Sequence, residues 1–284
     1  ALLDAIRRGD IPDALLGAGV IVVGMVDPTP AGKRLLRYMF RSSPEALQTF
    51  ARALKNVDPQ EARRLFDNLQ NLSGDIQRNA ADSVRNLVNR GADPSAVNRL
   101  LNNSEPHRSL WAAEALTPSG ASQSLLGQVY DIDSDTIRLA GRGGGGKYFV
   151  ATQGRLQVGF KVGGNREEFE LLQQVSASGV TPEPILFDDF GDTRVLRMTH
   201  IEGRALSPAM VPDLSLDQRR ALYADIEDSV NRVYDVGGFV PDSGNLENYV
   251  QRPDGQIFLI DFDPTAGYVS REEALENVRN TLEL

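Results

Sequence analysis

Between Leu116 and Ser122 the chain reads Leu-Thr-Pro-Ser-Gly-Ala-Ser, and the period of its hydrophobic pattern changes across that stretch. Before it, apolar residues recur at helical spacing. After it come short β-rich runs separated by turn residues. A run of helices followed by a strand-rich half confines the chain to the α+β class. At 284 residues there is room for one large or two ordinary domains. The expected division is an all-helical domain over 1–116 and a second domain over 117–284.

Three helix starts in the first part share one device: Ser43-Pro44-Glu45, Asp58-Pro59-Gln60 and Asp93-Pro94-Ser95. Ser or Asp caps free backbone N–H groups, and Pro takes the first helical position, where its missing donor costs nothing. Leu47, Phe50, Ala51 and Leu54 follow the first start, and Ala62, Leu65, Phe66 and Leu69 the second, each set forming one stripe. A longer helix from about Asp75 to Arg90 places Ile76, Ala80, Val84, Leu87 and Val88 on one face and stops at Gly91. The starts are irregularly spaced, which predicts a small bundle rather than a solenoid. Asn89, Asn98, Asn102 and Asn103 read as capping and turn residues, and His107 with Trp111 as packing.

The second part predicts strands at 136–139, 147–152 and 156–162, a helix at 165–176, a hairpin pair around 185–187 and 195–199, and a helix at 217–235. A hairpin turning at Asp254-Gly255 and a last helix from about 271 to 282 complete it. Three features carry chemistry. Gly141-Arg-Gly-Gly-Gly-Gly146 connects strand to strand, so it is no Rossmann fingerprint, but glycines there can offer backbone N–H groups to phosphates. Lys161 lies on the apolar strand Val158-Gly-Phe-Lys-Val, and Glu168 follows on a helix that can hold it. A lysine so held can be aimed, where a free one is a mobile point charge. Asp242 and Asn248 precede the hairpin, and Asp261-Phe-Asp263 ends it. Two acids and an amide in this order suit a Mg-nucleotide site or, more plainly, the acidic ends of a hairpin.

Composition removes other chemistries. There are no cysteines and two histidines, which excludes disulfides, thiolate sites and a His-rich zinc centre. A net charge of −9 argues against a broad nucleic-acid footprint. The longest apolar run, Ala14 to Val26, falls short of the roughly 20 residues a spanning helix needs. The start at Ala1 rather than Met reads as a processed product or a fragment, with targeting information open.

From about Thr136 to Asp263 the chain resembles the protein-kinase-like fold, with an antiparallel N-lobe over about 130–203 and a minimal C-lobe over about 204–284. Gly141, Gly143, Gly144, Gly145 and Gly146 resemble its glycine-rich loop, Lys161 its strand lysine, and Glu168 the αC partner, with Glu167 and Glu170 as rivals. The resemblance makes Met198 the gatekeeper and brings the backbone around Thr199, His200 and Ile201 to adenine. It casts Asp242 as the catalytic aspartate and Asn248 and Asp261 as magnesium ligands, with ATP and Mg²⁺ as cofactors. Val240 and Pro241 stand where the family's catalytic His and Arg would support Asp242. The step from Asp242 to Asn248 is one residue longer than the family's, which raises Asn245 as a rival. Asp263 replaces a glycine, as in aminoglycoside- and choline-kinase-like enzymes.

The resemblance implies an atypical bacterial effector or toxin kinase, soluble and delivered to a host or competitor cell, phosphorylating a hydroxyl of a protein, lipid or small molecule. Two alternatives stay open: a pseudokinase scaffold, and a kinase-fold AMP transferase that binds ATP reversed.

Overall fold

The computed structural model describes residues 35, 57–72, 74–143 and 146–284. The helix start at Ser43, the apolar run Ala14 to Val26, and Gly144 and Gly145 lie outside them. The chain forms two compact units, Ala1–Ile137 with Asp188–Arg194, and Arg138–Phe187 with Val195–Leu284. The sequence boundary at 116/117 therefore falls inside the first unit. The strand-rich signal starts after one more helix, Gln123–Tyr130, which packs with the helices before it.

In the first unit, α1 (Pro59–Asn71), α2 (Gly74–Asn89), α3 (Pro94–Leu101), α4 (Pro106–Ala115) and α5 (Gln123–Tyr130) form a bundle. The Asp-Pro starts work as read: Asp58 accepts from the Gln60 N–H at 2.8 Å, and Asp93 from the Ser95 N–H at 3.0 Å. Ala62, Leu65, Phe66 and Leu69 are buried on one face of α1.

Of the stripe expected on α2, Ala80, Val84, Leu87 and Val88 are buried and only Ile76 departs. Ile76 is 40% exposed, whereas Gln77 is 1% exposed. The reason lies at the end of α1, whose last carbonyls have no partner within their own helix. Gln77 Nε2 donates to the carbonyls of Leu69 at 3.1 Å and Gln70 at 3.4 Å. The amide gives the Gln70 carbonyl a donor and gives the Leu69 carbonyl, which also accepts from the Leu72 N–H at 3.3 Å, a second one; an isoleucine there could supply neither. We expect Gln77→Ala to cost about 1–3 kcal/mol and Ile76→Ser less than about 0.5 kcal/mol, the reverse of their hydrophobicities. Thermal unfolding of the two variants checks this ordering.

Asn98 also departs from its reading as a turn residue. It sits inside α3, buried, and its Nδ2 donates to the Glu61 carbonyl at 3.1 Å while its Oδ1 accepts from Asn68 at 3.3 Å. It ties α3 to α1. Trp111, read as packing, is 58% exposed.

The second unit is built on a five-stranded sheet in the order β1-β2-β3-β5-β4. Its strands are β1 (Ile137–Gly143), β2 (Gly146–Gln153), β3 (Leu156–Val162), β4 (Pro184–Asp189) and β5 (Arg194–Thr199). The pairs β2–β3 and β3–β5 are antiparallel. Helix α6 (Arg166–Val175) follows β3, begun by Asn165, whose Oδ1 accepts from the Glu168 N–H at 2.6 Å. Downstream lie β6 (Arg204–Ala205), α7 (Leu216–Asp235), β7 (Tyr249–Gln251), β8 (Ile257–Leu259) and α8 (Arg271–Thr281).

Helix α7 opens with a reciprocal capping box between Ser215 and Gln218. The expected turn closes β7 onto β8, with Gly255 at φ +91°, and β6 adds to β7. One apolar core joins Leu171 and Leu172 of α6, Leu196 and Met198 of β5, and Ile226, Val230 and Val233 of α7. It continues through Tyr249, Ile257, Leu259, Phe262 and Val278. The architecture is α+β with antiparallel sheets. Among the described residues, no helix is long and apolar enough to cross a membrane.

Candidate functional site

Strand β3 is central in the larger sheet, so a polar side chain on it must find partners or leave a buried charge. Lys161 finds two. Its Nζ donates to Glu168 Oε1 at 2.7 Å and to Asp261 Oδ1 at 2.9 Å. The cap at Asn165 sets the phase of α6 so that Glu168 turns inward, 1% exposed, beside Leu171 and Leu172. The rivals Glu167 and Glu170 are exposed.

Burial pulls the Lys161 ammonium down, but the Glu168 and Asp261 carboxylates outweigh it and hold its pKa above the ordinary lysine value. Burial pushes the Glu168 carboxyl up, and the Lys161 charge takes back only part of that. Glu168 Oε2 is buried without a hydrogen-bond partner. A part-buried lysine against a fully buried glutamate is costly in a fold built for stability alone, because desolvation offsets much of their attraction.

Asp261 follows β8 by two residues and is half-buried, while the next residue, Phe262, is fully buried in the core. The anchored ring fixes the acids on either side of it. Asp263 Oδ1 accepts from Asn165 Nδ2 at 3.1 Å and from the Thr265 N–H at 3.0 Å. Burial acts to raise the Asp263 carboxyl, but these hydrogen bonds and the Lys161 charge prevail and hold it below the usual carboxylate range. Asn165 thus caps α6 with its oxygen and grips Asp263 with its nitrogen. The sequence reading missed this pairing. Its only signal was an Asn in the capping position three residues before Glu168.

The loop from Asp242 to Asn248 is ordered by its own backbone. The Asp242 carbonyl accepts from the Asn245 N–H at 3.0 Å and from Asn248 Nδ2 at 3.3 Å. Asp242 is exposed and has φ +46°, a left-handed conformation that is uncommon away from glycine. The Asn245 side chain is engaged locally, accepting from the Glu247 N–H at 3.1 Å, whereas Asn248 is buried. The Asn248 carbonyl accepts from the Ile260 N–H at 2.9 Å, which brings its backbone beside Asp261.

The support that Val240 and Pro241 do not give Asp242 comes from behind the loop. Ser243 is fully buried, and its carbonyl accepts from the Tyr249 hydroxyl at 2.8 Å. Helix α8 contributes Asn277, donating to Ser243 Oγ at 3.3 Å, and Thr281, donating to the Gly244 carbonyl at 2.9 Å. None of Ser243, Tyr249, Asn277 or Thr281 was singled out in the sequence, since each is a common residue with no motif around it.

Gly141 and Gly143 lie within β1, and Gly146 opens β2. Gly146 has φ +143°, and a Cβ on it would meet the Val162 carbonyl oxygen at 1.8 Å. Strand packing alone therefore demands glycine at 146. Met198 is buried opposite Gly159. The Thr199 N–H already donates to the Glu183 carbonyl and the His200 N–H to the Gln157 carbonyl, both at 2.9 Å. Those two amides are engaged within the fold.

Among the described residues, no three His, Asp or Glu side chains converge as a metal cage. The arrangement is one lysine between two carboxylates, with an exposed aspartate and a buried asparagine on the loop before the hairpin. No family model matches the chain, and no curated protein matches it in sequence. Among solved structures, the Cydia pomonella granulovirus kinase PK-1 is similar over 49% of this chain and 55% of its own, at 13% identity and a TM-score of 0.33. The chain thus spans about half the length of that kinase, and a likeness so slight assigns neither fold nor activity.

Proposed function

We infer that the second unit is a protein-kinase-like domain that transfers a phosphoryl group from ATP, with Mg²⁺, to a hydroxyl of an acceptor. One observation carries this reading: the Lys161 ammonium is shared between the buried Glu168 carboxylate and the half-exposed Asp261 carboxylate. A lysine fixed by a buried acid and facing a second acid is equipped to neutralise phosphate oxygens.

The donor set fits the metal. Mg²⁺ takes few, hard oxygen ligands and keeps waters and phosphate oxygens for the rest. Asp261 and Asn248 supply such oxygens. When bound, the ion would neutralise charge on the phosphates. Lys161 binds the same phosphates, Glu168 keeps the ammonium in place, and Asp263 through Asn165 keeps α6 and the Asp261 segment in register. Asp242, exposed on its loop, accepts or orients the proton of the acceptor hydroxyl. Catalysis of this kind comes from positioning and charge, not from a covalent intermediate.

The pseudokinase reading rests on Val240-Pro241 and the stretched loop. The bonds from Tyr249, Asn277 and Thr281 weaken it, since they order that loop by other means. Incubation with Mg²⁺ and ATP labelled on the γ or the α phosphate separates the readings. We expect γ label on an acceptor or on the chain itself. Transfer of α label would establish an AMP transferase, and transfer of neither would favour the scaffold.

A further inference from the structure

Side chains on alternate residues of a strand share a face, and directly paired residues of antiparallel strands share it too. Tyr148 pairs with Lys161, Val150 with Gly159, Lys161 with Leu196 and Gly159 with Met198. Tyr148 therefore stands on the face that carries Lys161.

Its ring does not point away from the sheet. A Cβ added to Gly159 would come within 2.1 Å of the Tyr148 hydroxyl oxygen and 2.6 Å of its Cζ. The ring thus lies down on Gly159 and fills the space that a side chain would take. The hydroxyl reaches His200 Nδ1 at 3.1 Å, with the two rings 6.0 Å apart.

Both groups are neutral near pH 7. Burial pushes the Tyr148 hydroxyl up to about 12, slightly opposed by Arg138. Burial and Arg138 lower the His200 imidazole, against a smaller pull upward from Glu202. The contact is a hydrogen bond between uncharged groups, modest in strength and able to break.

If phosphates are held at Lys161, the nucleoside joined to them needs an apolar floor on the same face. Gly159, two residues along the strand and about 7 Å away, flanked by Val150 and Met198, is that floor. We propose that Tyr148 is a gate over the base end of the site: latched to His200, its ring occupies the place of a nucleobase, and a nucleotide binds by displacing it. The proposal rests on the nucleotide reading above and adds a control to it. A site open only part of the time binds more weakly in proportion to the open fraction.

The test measures dissociation constants for Mg-ATP and for Mg-tripolyphosphate, which has the phosphates and no base. It uses the full chain and the variants Tyr148→Phe, which keeps the ring and removes the latch, and Tyr148→Ala, which removes both. Thermal unfolding confirms that each variant is folded.

Tyr148→Phe should bind Mg-ATP about 2- to 10-fold more tightly, the worth of one neutral hydrogen bond, and Tyr148→Ala at least as tightly as that. Mg-tripolyphosphate should bind all three alike. If Tyr148→Ala binds Mg-ATP more weakly than the parent, the ring is a wall or stacking platform; the gate is overturned and the nucleotide reading stands. Equal tightening of both ligands also overturns the gate, because the effect then lies away from the base. If none of the three binds either ligand, the nucleotide reading fails and the gate with it.

Discussion

Replacing Lys161 with methionine is expected to lower phosphoryl transfer by about 10²–10³-fold, the usual loss when one preorganised electrostatic contact is removed. It should also destabilise the fold, because Glu168 stays buried and loses its cation. An uncompensated buried charge costs about 3–5 kcal/mol, less where the carboxyl takes a proton instead. That escape sets the sign of the pH dependence. Glu168 already has a pKa raised by burial above the ordinary glutamate value. Without Lys161 the folded state holds the proton at a pH where the unfolded chain has released it.

Between those two values the folded state binds more protons, so stability falls as pH rises. The Lys161→Met variant should therefore be more stable near pH 5 than near pH 8. The double variant Lys161→Met with Glu168→Gln should lose that slope and regain stability without regaining activity. Denaturant titrations at the two pH values, alongside label transfer, separate the two roles of the lysine. A single variant with flat stability across this range would mean that Glu168 is not held as described.

The second large effect is expected at Phe262. Its ring is fully buried in the core of the second unit, and the residues on either side are Asp261, bound to Lys161, and Asp263, bound to Asn165. Phe262→Ala should cost about 3–5 kcal/mol of stability by lost burial and the cavity it leaves. It should also lower phosphoryl transfer in the fraction that remains folded, since the backbone that aims Asp261 loses its anchor. Tyr268→Ala, removing an aromatic ring that is 75% exposed, is the control and should change neither. Urea titration gives the stability and single-turnover transfer the activity. A destabilised Phe262→Ala variant that transfers phosphate as well as the parent would show that the ring serves packing only.

Much of this was legible in the sequence because local rules were enough. Asp-Pro starts and the Asp254-Gly255 turn are decided within a few residues, so helix and hairpin positions followed. Lys161 could be singled out because it follows the glycine run on an apolar strand and Glu168 comes seven residues later on a helix that can hold it. What could not be read depends on packing at a distance. Gln77 looks like a surface residue until the carbonyl ends of α1 are found beneath it. Glu168 reads as the partner of Lys161 with Glu167 and Glu170 as rivals, and it is the phase of α6, set by Asn165, that turns Glu168 alone of the three inward. The support of the Asp242 loop by Asn277 and Thr281 joins residues more than thirty positions apart. Gly146 looked like a phosphate contact because glycine was the only visible fact, whereas the Val162 carbonyl against it is a fact of the sheet.

The most direct measurement is the thermal unfolding of the full chain in Mg²⁺ with and without ATP, repeated for Lys161→Met with Glu168→Gln. A ligand at one hundred times its dissociation constant adds about 2.7 kcal/mol of stability. The parent should gain stability in proportion to the logarithm of ATP concentration, and the double variant should gain little. A parent protein whose unfolding is unchanged at millimolar Mg-ATP, or a double variant stabilised as much as the parent, would contradict a nucleotide site at Lys161.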